Sequence, residues 1–279
     1  MRHSGKLLVI TNYADAIFQQ NVIAGASDVA NRHGYDVIVE SREENASNSS
    51  FLASLELVDA VLVIANVLSD EELRDIHQFG LPVTLVSHIV PEVSVPAVVS
   101  DNKRGIAQLV NHLVNDCGRS QIAFIQGDME QRDGIKRDQA FRNELVRHDL
   151  NVNDAYFLKG NFEPRLAAQS VRLFLERNVD FDALLASDYL MAVNAITELQ
   201  EVGLRVPEDI CVVGFGDGYE AEKAGLTVVA ADIVEVGRRG ARQLIGQIEG
   251  LHIQGLTILS TTLIERNSTL RVNEPVSAN

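Results

Sequence analysis

The stretch that most constrains this chain runs from Phe181 to Gly218. A short apolar run, Ala183 to Ala186, stops at the polar pair Ser187-Asp188. An amphipathic segment follows, with Leu190, Val193, Ala195, Ile196 and Leu199 at helical spacing. Gly203 sits just past its end, where helices stop. Pro207 excludes helix, and Ile210 to Val213 reads as a buried strand that breaks at Gly214. The spacing predicts a strand–helix–strand unit with a right-handed crossover. Its strands leave Ser187-Asp188 and Gly216-Asp217-Gly218 on one sheet edge, the carboxyl edge at which open α/β sheets bind ligands.

The same alternation fills the rest of the chain. Strands are expected at Leu7 to Ile10, Val37 to Val39, Ala60 to Ala65, Val83 to Val86 and Ala97 to Val99. Between them lie a polar loop from Glu40 to Ser50, a short apolar segment from Phe51 to Leu57, and helices. Ser69-Asp70-Glu71-Glu72 has the form of a capping box. Lys103 to Asp116 is expected to be helical, with Gly118 past its end. The pattern then restarts: strand Ile122 to Ile125, helix Ile135 to His148, strand Ala155 to Leu158, helix Pro164 to Arg177. After the Phe181–Gly218 unit come a strand at Thr227 to Ala230, a helix from Val234 to Ile248, and short strands at Ile258 to Leu259 and Thr262 to Glu265. Asn273 to Asn279 reads as a tail or linker. Alternation of this kind means parallel sheets with helices on both faces, and two such series in a row predict two Rossmann-like α/β lobes.

The 279 residues suit two lobes, and 46% hydrophobic content is ample for their cores. The net charge of −15 argues against a direct grip on nucleic acid, whose binders carry basic patches. Cys117 and Cys211 stand outside any spaced Cys/His set, so free thiols in a reducing compartment are expected. No apolar run approaches the roughly 18 residues of a membrane span. The apolar stretch Leu7 to Ile10 is short for a signal peptide, so a cytoplasmic location is expected.

The enzyme reading finds little support. Gly214-Phe-Gly-Asp-Gly begins like a dinucleotide loop, but Tyr219 occupies the third glycine position. There is no P-loop, no HExxH and no G-x-S-x-G. His88 beside Ser87 is an adjacency in sequence, not a triad. No catalytic residue, metal or cofactor is expected; binding is.

Asp188-Tyr-Leu-Met-Ala, Gly203-Leu-Arg-Val-Pro-Glu-Asp-Ile and Val213-Gly-Phe-Gly-Asp closely resemble the effector-binding region of the lactose/galactose repressor (LacI) family. That resemblance implies the type I periplasmic binding protein-like fold, with a cleft between lobes and three crossings of the chain. By alignment, residues 5–118 with 231–257 form the N-terminal lobe, 119–230 with 258–270 the C-terminal lobe, and 271–279 a tail. It further implies a homodimer, a small-molecule effector of the carbohydrate or sugar-acid class, and contact with DNA only through a helix-turn-helix that this chain does not contain.

The candidate ligand-binding residues sit on the expected carboxyl edges: Asp15, Phe18, Ser87, Asp101, Arg104, Arg137, Phe162, Ser187, Asp188 and Asp217. Planar polar groups chelate adjacent hydroxyls, and an aromatic face packs on a sugar ring. Several have a plainer reading. Phe162 is also a packed loop aromatic, and Arg137 an exposed helix arginine; the family places its stacking aromatic and its ligand-binding arginine at these two positions. Asp188 also fits a helix cap, Asp217 a shaper of a glycine-rich turn, and Phe18 a core residue. Where the family commonly has Asn-Asp this chain has Ser187-Asp188, and its common Asp-Asp is Gly216-Asp217. Arg104 stands where relatives can carry a ligand-binding acid. A lost acid and a gained cation favour an acid sugar over a neutral hexose. A ligand sensor of another signalling protein and a solute-binding protein of a transporter are the alternative readings.

Overall fold

The computed structural model describes residues 4–42, 54–90, 95–253 and 255–270. The loop to Ser50, the start of the Phe51 segment and the tail beyond Leu270 therefore lie outside the described residues, wholly or in part. Two compact units emerge. One holds the chain up to Ser100 together with Asp232–Leu259, and the other Asp101–Ala231 with the chain from Ser260 on.

The first unit carries a six-stranded parallel sheet. Its strands are β1 (Lys6–Thr11), β2 (Asp36–Ser41), β3 (Ala60–Ile64), β4 (Val83–Val86), β5 (Ala97–Ser100) and β11 (Leu256–Leu259), in the order β2-β1-β3-β4-β5-β11. Helices α1 (Ile17–Arg32) and α8 (Ile233–Ile248) cover one face through Val22, Ala26, Val236 and Leu244. Helix α2 (Asp70–Gln78) covers the other, and Ser69 closes the predicted capping box with Glu72. Helices α1 and α8 cross backbone against backbone. A Cβ on Gly25 would lie 1.9 Å from the Val234 carbonyl oxygen, and one on Gly237 would lie 2.0 Å from that of Val22.

The second unit repeats the plan. Its strands are β6 (Ile122–Gln126), β7 (Phe157–Lys159), β8 (Ala183–Ala186), β9 (Cys211–Phe215), β10 (Thr227–Ala230) and β12 (Thr262–Ile264), in the order β7-β6-β8-β9-β10-β12. Only β12 runs antiparallel. Helices α3 (Asn102–Asn111) and α4 (Arg132–Arg147) lie on one face, over Phe124, Leu185 and Val213. Helices α5 (Pro164–Leu175) and α6 (Tyr189–Glu201) lie on the other, over Ile125, Leu184 and Val212. A short helix α7 (Tyr219–Lys223) follows β9. Adjacent strand residues thus feed opposite cores, as a sheet covered on both faces requires.

Five sequence expectations need revision. Strand β9 runs through Gly214 to Phe215 instead of breaking there. A Cβ at 214 would sit 3.1 Å from the Tyr189 Cα, so this glycine serves the close approach of helix α6. The helix expected to reach Asp116 is α-helical only to Asn111 and continues as a π-turn, His112–Asp116. Ala155 belongs to a 3₁₀ turn, Asp154–Tyr156, and the strand starts at Phe157. The first boundary between units falls at Ser100–Asp101, ahead of Gly118, because α3 buries Ile106, Leu109 and Val110 in the core of the second unit. The last falls after Leu259, because β11 pairs in register with β5.

Among the described residues, no helix is long and apolar enough to cross a membrane.

Candidate functional site

In a sheet of order 2-1-3-4-5 the strand order reverses between the first and third strands, and ligands favour the carboxyl end of that switch point. In the second unit this is the gap between β6 and β8. The chain leaves β6 as Gln126-Gly127-Asp128 and β8 as Ser187-Asp188.

Arg137 is the centre of this edge. It is 9% exposed, on the second turn of α4. Its Nε donates to the Asn102 Oδ1 at 2.8 Å, and its Nη1 to the Ser187 carbonyl at 2.6 Å. Its Nη2 forms an ion pair with Asp133 at 3.6 Å. The guanidinium lies 3.8 Å over the Phe215 ring and 5.7 Å from the centroid of Phe162. Burial lowers its pKa, and Asp133 and Asp188 oppose that shift. Arginine titrates so high that the charge stays. Asn102, 4% exposed, bridges the pair: its Oδ1 accepts from Arg137 while its Nδ2 donates to Asp133 at 2.7 Å. A planar fork, one arm of which has no short hydrogen bond among the described residues, is thus held rigid by two partners and two rings.

Asp188 caps α6, accepting from the Leu190 and Met191 amides at 2.8 and 3.3 Å. Desolvation pushes its pKa up to about 6, against the pull of Arg137 and of those amides. Next to it, burial pushes Tyr189 up to about 12, so its phenol keeps its proton. Phe162 takes a left-handed backbone, φ 58°, and is half-buried against the core. A Cβ on Gly127 would lie 2.3 Å from its ring, so glycine at 127 is what lets the ring lie across the end of β6.

The remaining candidates are placed less centrally. Ser187 is fully buried and its hydroxyl donates to the Ile125 carbonyl at 2.9 Å, so its contribution is the carbonyl that holds Arg137. Asp217 accepts from Arg266 at 2.8 Å and from the Gly218 amide at 3.0 Å. Asp101 caps α3 through the Arg104 amide at 3.0 Å, and the Arg104 side chain is exposed. In the first unit Asp15 is exposed in the turn before α1, Phe18 is half-buried against the core, and Ser87 is buried at φ 57° directly after β4. The structure therefore joins Arg137, Phe162 and Asp188 into one network and adds Asn102, Asp133 and Phe215. Asp133 had a readable signal, an acid four residues ahead of Arg137 on one helix face. Asn102 had one too, since it stands beside Asp101 directly after the predicted strand Ala97 to Val99, on an expected carboxyl edge; Phe215 had none.

Residues 110–269 match the periplasmic binding protein-like domain. The chain belongs to this family. It is also similar along nearly its whole length to LacI-type regulators. It is 28% identical over 271 residues to the transcriptional regulator AscG of Escherichia coli K12, covering 94% of this chain and 80% of that protein. It is 26% identical over 273 residues to the repressor CytR of the same strain, covering 94% and 78%. Among solved structures, the transcriptional regulator CelR in complex with cellobiose superposes with a TM-score of 0.87 at 26% identity, covering 96% of this chain and 85% of that one. These relatives are transcriptional regulators, not enzymes. The resemblance read at Asp188-Tyr-Leu-Met-Ala and Val213-Gly-Phe-Gly-Asp thus extends across the chain.

Proposed function

We propose that this chain is the effector-binding domain of a LacI-type transcriptional regulator, and that its effector is a sugar or a sugar acid. The observation that carries the reading is Arg137, buried at the switch point of the second sheet with Nη2 held only by a 3.6 Å ion pair among the described residues. That arm and the neighbouring Phe162 ring offer a cation for adjacent oxygens and an apolar face for a sugar ring. The cellobiose bound by CelR, a relative of the same fold, supports a carbohydrate. Asp217 is already engaged by Arg266, and Arg104 adds an exposed cation, so an acid sugar fits the charge better than a neutral one. As in the family, the effector acts by favouring one arrangement of the lobes, which changes dimer geometry and operator affinity; it moves that equilibrium only by its differential affinity.

A thermal-shift screen of aldoses, disaccharides and aldonates tests the class. A ligand at one hundred times its Kd adds about 2.7 kcal/mol to the folded state. Silence across all three classes overturns the carbohydrate reading. Calorimetry with a matched aldose and aldonate then tests the charge preference, and tight binding of the neutral sugar alone ends it. Small-angle scattering with a verified tight ligand tests closing, and an unchanged radius of gyration counts against it.

A further inference from the structure

Two guanidinium groups converge on Asp133. Its Oδ2 lies 3.6 Å from the Arg137 Nη2, and its Oδ1 lies 3.7 Å from the Arg132 Nη1. Both separations are longer than a hydrogen bond. The short bond of this carboxylate comes from elsewhere: the Asn102 Nδ2 donates to its Oδ1 at 2.7 Å. Other arginines of the same unit close on their acids. Arg142, Arg172 and Arg205 reach a carboxylate at 2.9, 2.7 and 2.6 Å. The Arg132 Nη1, by contrast, is buried and has no hydrogen-bond partner among the described residues. Arg137 has Nε and Nη1 engaged, which leaves its Nη2 as the arm that meets Asp133. A buried charged donor without an acceptor is costly, so two of them beside one carboxylate call for an explanation.

We propose that Asp133 is a resident counter-ion, and that the oxyanion of the effector, a carboxylate or a phosphate, takes its place between Arg132 and Arg137. The proposal rests on the reading of this edge as the effector site. Asn102 tethers Asp133, so its oxygens stop short of both forks. A free oxyanion has no such tether. It can approach each fork to the charge-assisted distance of about 2.8 Å and give both nitrogens an acceptor. Two acids do not share the gap without a penalty, so the arriving group must displace Asp133 from the forks. The displaced carboxylate is still on the first turn of α4, where the positive end of the helix supports a negative charge.

Specificity follows from the exchange. A neutral sugar brings no charge to replace that of Asp133, so the acid stays and Arg132 keeps a buried nitrogen without a hydrogen bond. An acidic ligand satisfies Arg132 and Arg137 together. Arg132 is therefore a specificity-determining residue, and Asp133 sets how strongly an anion must bind to enter.

The test measures binding of inorganic phosphate, gluconate and glucose to the full chain by calorimetry at one low ionic strength. Asp133→Asn removes the competing charge and keeps an acceptor for Asn102. It is expected to tighten phosphate, gluconate or both about tenfold, and to leave glucose within about twofold of the wild type. A gain confined to phosphate assigns a phosphate ester, and one confined to gluconate a carboxylate. Arg132→Gln should weaken the same anion about tenfold, and the double variant should lose the gain. Asp133→Ser, also uncharged, repeats the measurement should the amide disturb the fold. The proposal is overturned if neither anion gains affinity when Asp133 is neutralised, if glucose gains equally, or if the gain survives Arg132→Gln. A gain for phosphate while neither gluconate nor glucose binds any variant upholds the exchange and refutes the carbohydrate reading alone.

Discussion

At the carboxyl edge of the second sheet the charged groups are buried and interlocked: Arg137 is held by Asn102 and the Ser187 carbonyl, and Asp188 by two helix amides. The corresponding edge of the first sheet has one buried charged pair, Arg42 after β2 with Glu72 at 2.9 Å, and is otherwise marked by its backbone. Tyr13, Ala65 and Ser87, which follow β1, β3 and β4, all take positive φ, at 49°, 59° and 57°. Side chains with a Cβ are strained there, and such strain tends to collect at functional edges. Identical strand order thus gives one edge centred on a buried arginine and another with strained turns after three of its strands, although Asn161 and Phe162 give the second edge positive φ after β7 as well. The difference teaches that a repeated fold fixes where a site stands and leaves its chemistry to the side chains.

Replacing the central cation should break the comparison most. Arg137→Ala leaves Asp133 and Asn102 without their shared partner, and should cost about 3–5 kcal/mol in effector binding, read by calorimetry with whichever carbohydrate the screen identifies. Arg137→Lys should recover only part of it, since an ammonium cannot reproduce the fork. If both variants bind like the wild type, the charged edge is not the site.

Gly237→Ala tests the first unit alone. Its Cβ would collide with the Val22 carbonyl, so a loss of about 3 kcal/mol is expected, read by urea unfolding. An unchanged midpoint would mean that α1 and α8 part without cost.

Asp188→Asn sharpens the electrostatics. Its pKa is higher folded than the ordinary 3.8, so the fold prefers the protonated acid. The associated stability is complete below about pH 4 and is lost as pH rises through about 6. The amide keeps the cap and removes the titration. The variant should flatten the stability–pH curve over that interval by on the order of 2 kcal/mol, and a curve parallel to the wild type would show that Asp188 is well solvated.

Ser87→Gly should have the smallest effect, a gain of up to about 1 kcal/mol in thermal stability from relief of the positive φ. Weaker carbohydrate binding by the same variant would place the Ser87 hydroxyl among the ligand contacts.

The fold was largely legible, for a physical reason. Strands buried on both faces write themselves as apolar runs, and Ala183–Ala186 and Thr227–Ala230 match their predicted bounds. The capping box at Ser69 also stood as read. Glycine was less legible: Gly214 looks like a break and is a packing contact. At the site, Asp188 read both as a ligand-binding residue and as a helix cap, and the cap is what the structure displays, through the Leu190 and Met191 amides. Ser187 misled, since a hydroxyl on a sheet edge has a neighbouring strand's carbonyl within reach, and sequence does not say which partner it takes.

By itself the sequence determined two α/β series, their carboxyl edges and the residues near them, because periodicity and turn chemistry are local. Only the tertiary structure decided that α3 packs with the second unit, that Asn102 joins Arg137 to Asp133, and that Arg266 claims Asp217. Those pairings span 31 to 49 positions of chain, and no local pattern records which distant partner satisfies a buried charge.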